Sequence, residues 1–228
     1  MVDTLVIVPG QQRIPRPMSH RPGAPAPWTG LPVEATRFTL AEIRACLAVL
    51  PPGAAPVPRV PGTVAASVLV PLYEDAGEVH VILIKRPETM PSHRGEIAFP
   101  GGKFEGAVDG DLQATALREA QEEVGLDPSI VEIVARLDGI ATVASRFSIT
   151  PFVGFLPGPP ELTPNPREVT RVLHVPLSAL LADGVYREER WDTSFEDMSV
   201  YFFELSDETV WGATARILTK FLAHLTKR

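Results

Sequence analysis

Hydrophobic and polar positions fall into two textures along the chain, divided near Thr63. Before it, apolar residues are scattered among prolines, with one exception. Leu40, Ile43, Leu47 and Leu50 recur at helical spacing behind Thr39 and Glu42, which are placed as a capping box. Pro51, Pro52 and Gly53 stop that short helix, and a second proline-containing linker runs on to Pro61 and Gly62. After Thr63, residues 64–72 and 78–85 are β-rich runs separated by Glu74-Asp75-Ala76-Gly77, a hairpin pattern. A glycine loop then leads to a helix over about 111–124, closed by Gly125. Further strands are predicted over 131–141, 147–156, 171–175 and 199–205. The chain finishes in an amphipathic helix with Ile217, Leu218, Phe221, Leu222 and Leu225 on one face. Strands interleaved with a few helices predict an α+β fold, with helices packed on mixed sheet. The boundary divides a proline-rich N-terminal extension, 1–62, from a main domain, 63–228.

Composition narrows the class. With 45% hydrophobic residues in 228, there is apolar material for one substantial core. A net charge of −7 argues against a nucleic-acid-binding surface, yet not against small polyphosphates, because a metal ion reverses the local charge of an acidic pocket. The single cysteine, Cys46, cannot form an internal disulfide. No apolar run approaches the roughly 18 residues of a membrane span, and residues 1–10 lack the features of a secretory signal. The expected setting is cytoplasmic, without membrane or nucleic acid as partner.

The segment richest in chemistry is Gly101-Gly102-Lys103-Phe104-Glu105, leading into Arg118-Glu119-Ala120-Gln121-Glu122-Glu123-Val124-Gly125-Leu126. At about 100° per residue, Glu119, Glu122 and Glu123 share one arc while Leu117, Ala120 and Val124 occupy another. Like charges at this spacing repel and do nothing for the helix. Oxygen ligands crowded in this way suit Mg²⁺ or Mn²⁺. Gly101 and Gly102 let the backbone approach a metal or phosphate, and Arg118 holds neighbouring carboxylates through a rigid fork of donors.

These residues closely resemble the Nudix hydrolase superfamily, whose box reads G-x5-E-x7-R-E-U-x-E-E-x-G-U with U apolar. The second half matches from Arg118 to Leu126. The first half departs: the acidic position falls on Val108 counted from Gly102 and on Gly110 counted from Arg118, so Asp109 is the expected substitute. A second resemblance, to coenzyme A diphosphatases, lies in Leu83-Ile84-Lys85-Arg86 and His93-Arg94-Gly95-Glu96-Ile97-Ala98-Phe99-Pro100-Gly101-Gly102. It continues in Pro164-Asn165-Pro166-Arg167-Glu168-Val169, Val175-Pro176-Leu177, Tyr201-Phe202-Phe203 and Trp211-Gly212-Ala213-Thr214-Ala215-Arg216.

The resemblance implies the Nudix fold, a mixed sheet between helices in an α/β/α sandwich. It also implies a divalent-metal-dependent pyrophosphohydrolase that cleaves coenzyme A or acyl-coenzyme A to adenosine 3′,5′-bisphosphate and 4′-phosphopantetheine or its acyl form. Glu119, Glu122, Glu123 and Gly101 are then the metal-site residues, with Mg²⁺ or Mn²⁺ as cofactor. Arg118, Glu119, Glu122 and Glu168 are the catalytic set, with Glu168 a ligand or base. Arg86, His93 and Arg94 are the substrate-binding set. The alternatives are ADP-ribose, NADH or nucleoside triphosphates as substrate, and more distantly a non-catalytic nucleotide-sensing module. The superfamily's habit of dimerising allows a homodimer, and the extension is expected to serve packing or assembly.

Overall fold

The computed structural model describes residues 4–7, 12–51, 53–55, 61–90, 92–142, 146–192 and 197–227. Residues 56–60 of the expected linker lie outside them. In chain order the elements are β1 (Thr4–Ile7), β2 (Arg13–Arg16), β3 (His20–Pro22), α1 (Leu40–Ala48), β4 (Val64–Asp75), β5 (Glu78–Lys85), β6 (Ile97–Ala98), β7 (Gly101–Lys103) and α2 (Leu112–Val124). They continue with β8 (Glu132–Arg136), β9 (Ile140–Ala141), β10 (Phe147–Phe155), β11 (Arg171–Pro176), α3 (Leu177–Leu181), β12 (Tyr186–Asp192), β13 (Asp197–Glu204), β14 (Thr209–Trp211) and α4 (Gly212–Leu225).

The central sheet runs β11-β5-β4-β10-β8, with β6, β7 and β9 attached to β5, β4 and β10. β10 is parallel to β4, whereas β5, β8 and β11 pair antiparallel, so the sheet is mixed. The β4–β5 hairpin turns on Ala76 and Gly77, both at positive φ (50° and 77°), the conformation that matches the strands' own twist.

Alternation along these strands sends side chains to two cores. On one face Leu69, Ile82, Ile84 and Phe152 meet Ala116, Ala120 and Val124 of α2. On the other, Val70, Leu72, Val81, Leu83 and Val153 meet α1 and α4 through Ile43, Leu47, Leu218, Phe221 and Leu222. The expected α/β/α sandwich is therefore present. The Thr39–Glu42 capping box starts α1, with Thr39 N–H donating to Glu42 Oε2 at 2.9 Å and Glu42 N–H to Thr39 Oγ1 at 3.2 Å. Trp28, Phe38, Ile43 and Leu47 from the N-terminal segment belong to the same core as the central sheet.

Two features differ from the sequence expectation. The strand predicted over 131–141 is split into β8 and β9, because residues 53–55 take up backbone groups at the break. Gly53 N–H donates to Arg136 O at 3.1 Å and Gly139 N–H to Ala54 O at 2.9 Å. A second sheet, β14-β13-β12-β3, was foreseen only in β13. Its strand β12 is masked by charge, Tyr-Arg-Glu-Glu-Arg-Trp-Asp, yet Glu189 and Trp191 both point inward. Glu189 is tolerated there because Arg16 donates to it at 2.9 and 2.7 Å and Trp191 Nε1 at 2.7 Å.

Candidate active site

Asp111 caps α2 by accepting from Ala114 N–H at 2.8 Å, and Gly125 closes it at φ 69° in the left-handed region. The loop that follows β10 stitches itself to the helix's free carbonyls. Asn165 N–H donates to Glu123 O and Thr163 N–H to Val124 O, both at 2.8 Å. This brings Glu168, half-buried and anchored by its N–H to Asn165 O at 2.9 Å, over the carboxylate face.

The three helix glutamates are not equivalent, which corrects the picture of one shared acidic face. The buried face is centred on Ala116 and Ala120, with Leu117 only partly buried, and Glu123 lies at its edge. Side-chain exposure is 2% for Glu123, 14% for Glu119 and 54% for Glu122. Glu123 Oε2 accepts the Gly101 N–H at 2.9 Å, and Oε1 stands 3.5 Å from the Arg86 guanidinium. Burial pushes its carboxyl up to about 8; Gly101 and Arg86 oppose the rise, and the charges of Glu119 and Glu168 add to it. Burial raises Glu119 as well, against the pull of Arg118 and reinforced by Glu122 and Glu168.

Arg118 is the hub. Its Nε and Nη2 reach Asp109 at 2.8 and 3.1 Å, Nη1 reaches Glu122 at 2.9 Å, and Nη2 also meets Glu119 at 2.9 Å and Lys103 O at 3.2 Å. Asp109, the expected stand-in for the box's first acid, is buried and bound to Arg118. Besides Arg118 it accepts from Thr115 Oγ1 at 3.0 Å and Glu105 N–H at 2.9 Å, and Arg118 above all holds its carboxyl far below the usual range.

The glycines matter by contact. A Cβ on Gly102 would overlap the Glu119 carboxylate, and one on Gly101 would strike the Ser67 carbonyl. The substrate-loop residues separate. Arg86 joins the cluster, and its Nε is buried without a hydrogen-bond partner. His93 Nδ1 contacts Glu96 at 2.8 Å, a bond that raises its pKa against burial and the nearby Arg86 charge. Arg94 is exposed, its Nε donating to Met90 O at 2.8 Å.

Among the described residues no three acidic or histidine side chains converge on one point: Arg118 holds Glu119 and Glu122, and Gly101 holds Glu123. The donor set nevertheless fits a hard divalent cation. The charge of Glu168 raises the pKa of both Glu119 and Glu123, and that of Glu119 raises Glu123 further, in a half-dry place, which a cation would reverse. A groove of about 320 Å³ between α1 and α4 shares none of these residues.

A glycine strand feeding an acidic helix, with an arginine hub locked by a buried aspartate, defines the class: a phosphate- and metal-handling box on an α/β/α sandwich. The NUDIX domain family matches residues 63–195, and the chain belongs to it. It is 43% identical over 162 residues to "Nudix hydrolase 22, chloroplastic" of Arabidopsis thaliana, covering 68% of this chain and 53% of that one. It is 42% identical over 142 residues to "Peroxisomal coenzyme A diphosphatase NUDT7" of Mus musculus, covering 62% and 59%. The chain thus spans little more than half the length of these relatives. A MutT/nudix family protein from Enterococcus faecalis shares the fold, at TM-score 0.50 and 19% identity over 80% of this chain and 68% of that one. Relatives carry chloroplastic, mitochondrial and peroxisomal names, which lend the cytoplasmic expectation no support. Among the described residues no helix is long and apolar enough to cross a membrane.

Proposed function

We propose that the chain is a divalent-metal-dependent pyrophosphohydrolase acting on coenzyme A or acyl-coenzyme A, giving adenosine 3′,5′-bisphosphate and 4′-phosphopantetheine or its acyl form. The observation that carries the chemistry is the crowding of carboxylates beside the Gly101-Gly102 strand: Glu123 accepts the Gly101 N–H, Glu119 lies against Gly102, and the charge of Glu168 raises both. The choice of substrate is supported by the likeness to a protein named a coenzyme A diphosphatase.

Glu119 and Glu123 hold Mg²⁺ or Mn²⁺, with Glu122 and the Gly101 backbone completing the surroundings. When bound, the cation polarises phosphoryl oxygens and makes a water nucleophilic near neutral pH. Arg118, fixed by Asp109, sets the positions of Glu119 and Glu122. Glu168 accepts the proton of the attacking water as the phosphorus–oxygen anhydride bond breaks. Arg86 binds the pyrophosphate, a role supported by its buried unpaired donor beside Glu123. His93 and Arg94, on the loop between β5 and β6, face the remainder of the substrate.

The test is a product-resolved screen with Mg²⁺ or Mn²⁺ across coenzyme A, acetyl-coenzyme A, ADP-ribose, NADH and nucleoside triphosphates. Fastest conversion of coenzyme A species to the bisphosphate is expected. Faster cleavage of ADP-ribose or NADH, with indifference to the 3′-phosphate, would overturn the substrate and leave the hydrolase chemistry standing. Nucleotide binding without turnover of any of these would point to a sensing module.

A further inference from the structure

The loop that carries His93 and Arg94 is gripped from the N-terminal segment. Gln12, 2% exposed, donates Nε2 to Gly95 O at 2.9 Å and accepts Thr209 N–H on Oε1 at 3.1 Å. Both ends of one buried amide are used, bridging residues 83 and 197 positions away. Beside it Glu208, also 2% exposed, accepts Lys85 Nζ at 2.7 Å, and Lys85 immediately precedes Arg86. The turn ahead of β14 thus holds both the end of β5 and, through Gln12, the loop between β5 and β6.

That loop needs holding. His93 sits at φ 56°, a left-handed conformation that costs a residue with a side chain and persists when the surroundings over-determine it, whereas Gly95 takes φ 63° freely. The loop's base is tied by Arg86 N–H to Glu96 O at 3.0 Å, which leaves Gln12 as the contact that fixes its far side to another sheet.

We propose that Gln12 is a positioning residue for substrate: it clasps residues 92–96 to the start of β14 and so sets the loop that carries His93 and Arg94, whose base is tied to Arg86. It acts through Gly95 and does not touch substrate. The extension is then part of the site's architecture rather than only an assembly arm. This inference rests on the hydrolase reading above for its kinetic consequence, but not for its structural one.

The experiment uses the full chain carrying Gln12→Leu, which keeps bulk and removes both bonds, or Gln12→Glu, which keeps the acceptor for Thr209 and loses the donor for Gly95. Hydrogen exchange is followed in peptides spanning 92–97 and in α2, together with kcat and KM on coenzyme A with Mg²⁺. The expected result is exchange about tenfold faster in 92–97 with α2 unchanged. KM rises about three- to tenfold while kcat stays within about twofold. Unchanged loop exchange, an equal rise everywhere in step with a fall in Tm, or a loosened loop with unchanged KM would each overturn the clasp. If Gln12→Leu does not fold, Gln12→Glu alone decides by the same readings. If the wild type cleaves another pyrophosphate and not coenzyme A, the substrate reading fails and KM is read on the compound that is cleaved. If it cleaves none, the hydrolase reading fails and the exchange measurement decides the clasp by itself.

Discussion

Two buried carboxylates at opposite ends of α2 behave in opposite ways. Asp109, ahead of the helix, and Glu123, in its last turn, are 6% and 2% exposed. Asp109 accepts from two nitrogens of Arg118, the Thr115 hydroxyl and the Glu105 amide, and is held strongly ionised. Glu123 has one amide and a guanidinium at 3.5 Å, faces two further carboxylates, and is pushed up to about 8. Both are closed to solvent, but Asp109 lies shallow among plentiful donors and is a structural anchor, whereas Glu123 lies deep with few and is a poised, under-neutralised ligand. The Arg16–Glu189 pair in the second sheet belongs with Asp109: a buried acid met by a matching cation.

The largest expected effect breaks the poised end. Glu123→Gln or Glu119→Gln should lower turnover by about three orders of magnitude or more, with the fold intact by circular dichroism. Near-normal turnover in either variant would reduce the face to ordinary charge. For stability the contrast reverses. Asp109→Asn leaves Arg118 without its main partner and should cost roughly 2–4 kcal/mol in denaturant unfolding, with solvent access to Arg118 softening the loss. Glu123→Gln should leave stability near neutral pH little changed in metal-free buffer, because the carboxyl it replaces, pushed up to about 8, is already largely protonated there. Equal destabilisation by the two substitutions would erase the distinction between the ends.

The pH dependence sharpens it further. Glu123 has a folded pKa of about 8 against an ordinary 4.5, so between these values the folded state binds more protons than the unfolded. Stability in metal-free buffer should therefore fall as pH rises from about 4.5 to about 8, and Tm against pH should be flatter in Glu123→Gln. Asp109 runs the other way: its contribution is present above the ordinary carboxylate range and is lost only in strong acid. Binding of Mg²⁺ near pH 7 should release protons, read as a heat that varies with the buffer's ionisation enthalpy. No buffer dependence would mean that Glu123 is already ionised. The smallest effect concerns Arg94, which is exposed and apart from the cluster. Arg94→Ala should cost about threefold in kcat/KM on coenzyme A and less on the 3′-dephospho form. Equal losses would remove it from the 3′-phosphate.

Local signals were legible wherever a residue's role is set by its own neighbours. The Thr39–Glu42 cap, the turn at Ala76-Gly77, the Gly125 cap and the apolar face of α4 all follow from spacing of a few residues. The box from Arg118 to Leu126 was equally visible, because its spacing is its content. Illegible were the roles assigned by distant partners. β12 was hidden because its inward Glu189 is met by Arg16, far upstream, as well as by its strand neighbour Arg187. Gln12 carried no signal at all, being one polar residue in a proline-rich stretch.

The sequence by itself determined the alternation that builds a mixed sheet with helices on both faces, the acidic helix and the glycines before it. These depend on backbone geometry and short-range periodicity, which one chain segment carries alone. Only the tertiary structure decided that Glu123 is buried while Glu122 is not, since which arc of the helix meets the sheet is set by packing against Leu69, Ile82 and Ile84. It alone decided that Asp109 serves Arg118, that Glu168 comes over the helix end, and that Gln12 reaches Gly95. Each is a contact between segments whose pairing depends on the whole core having closed, because an ion pair or amide bridge gains its strength only where packing has removed the water.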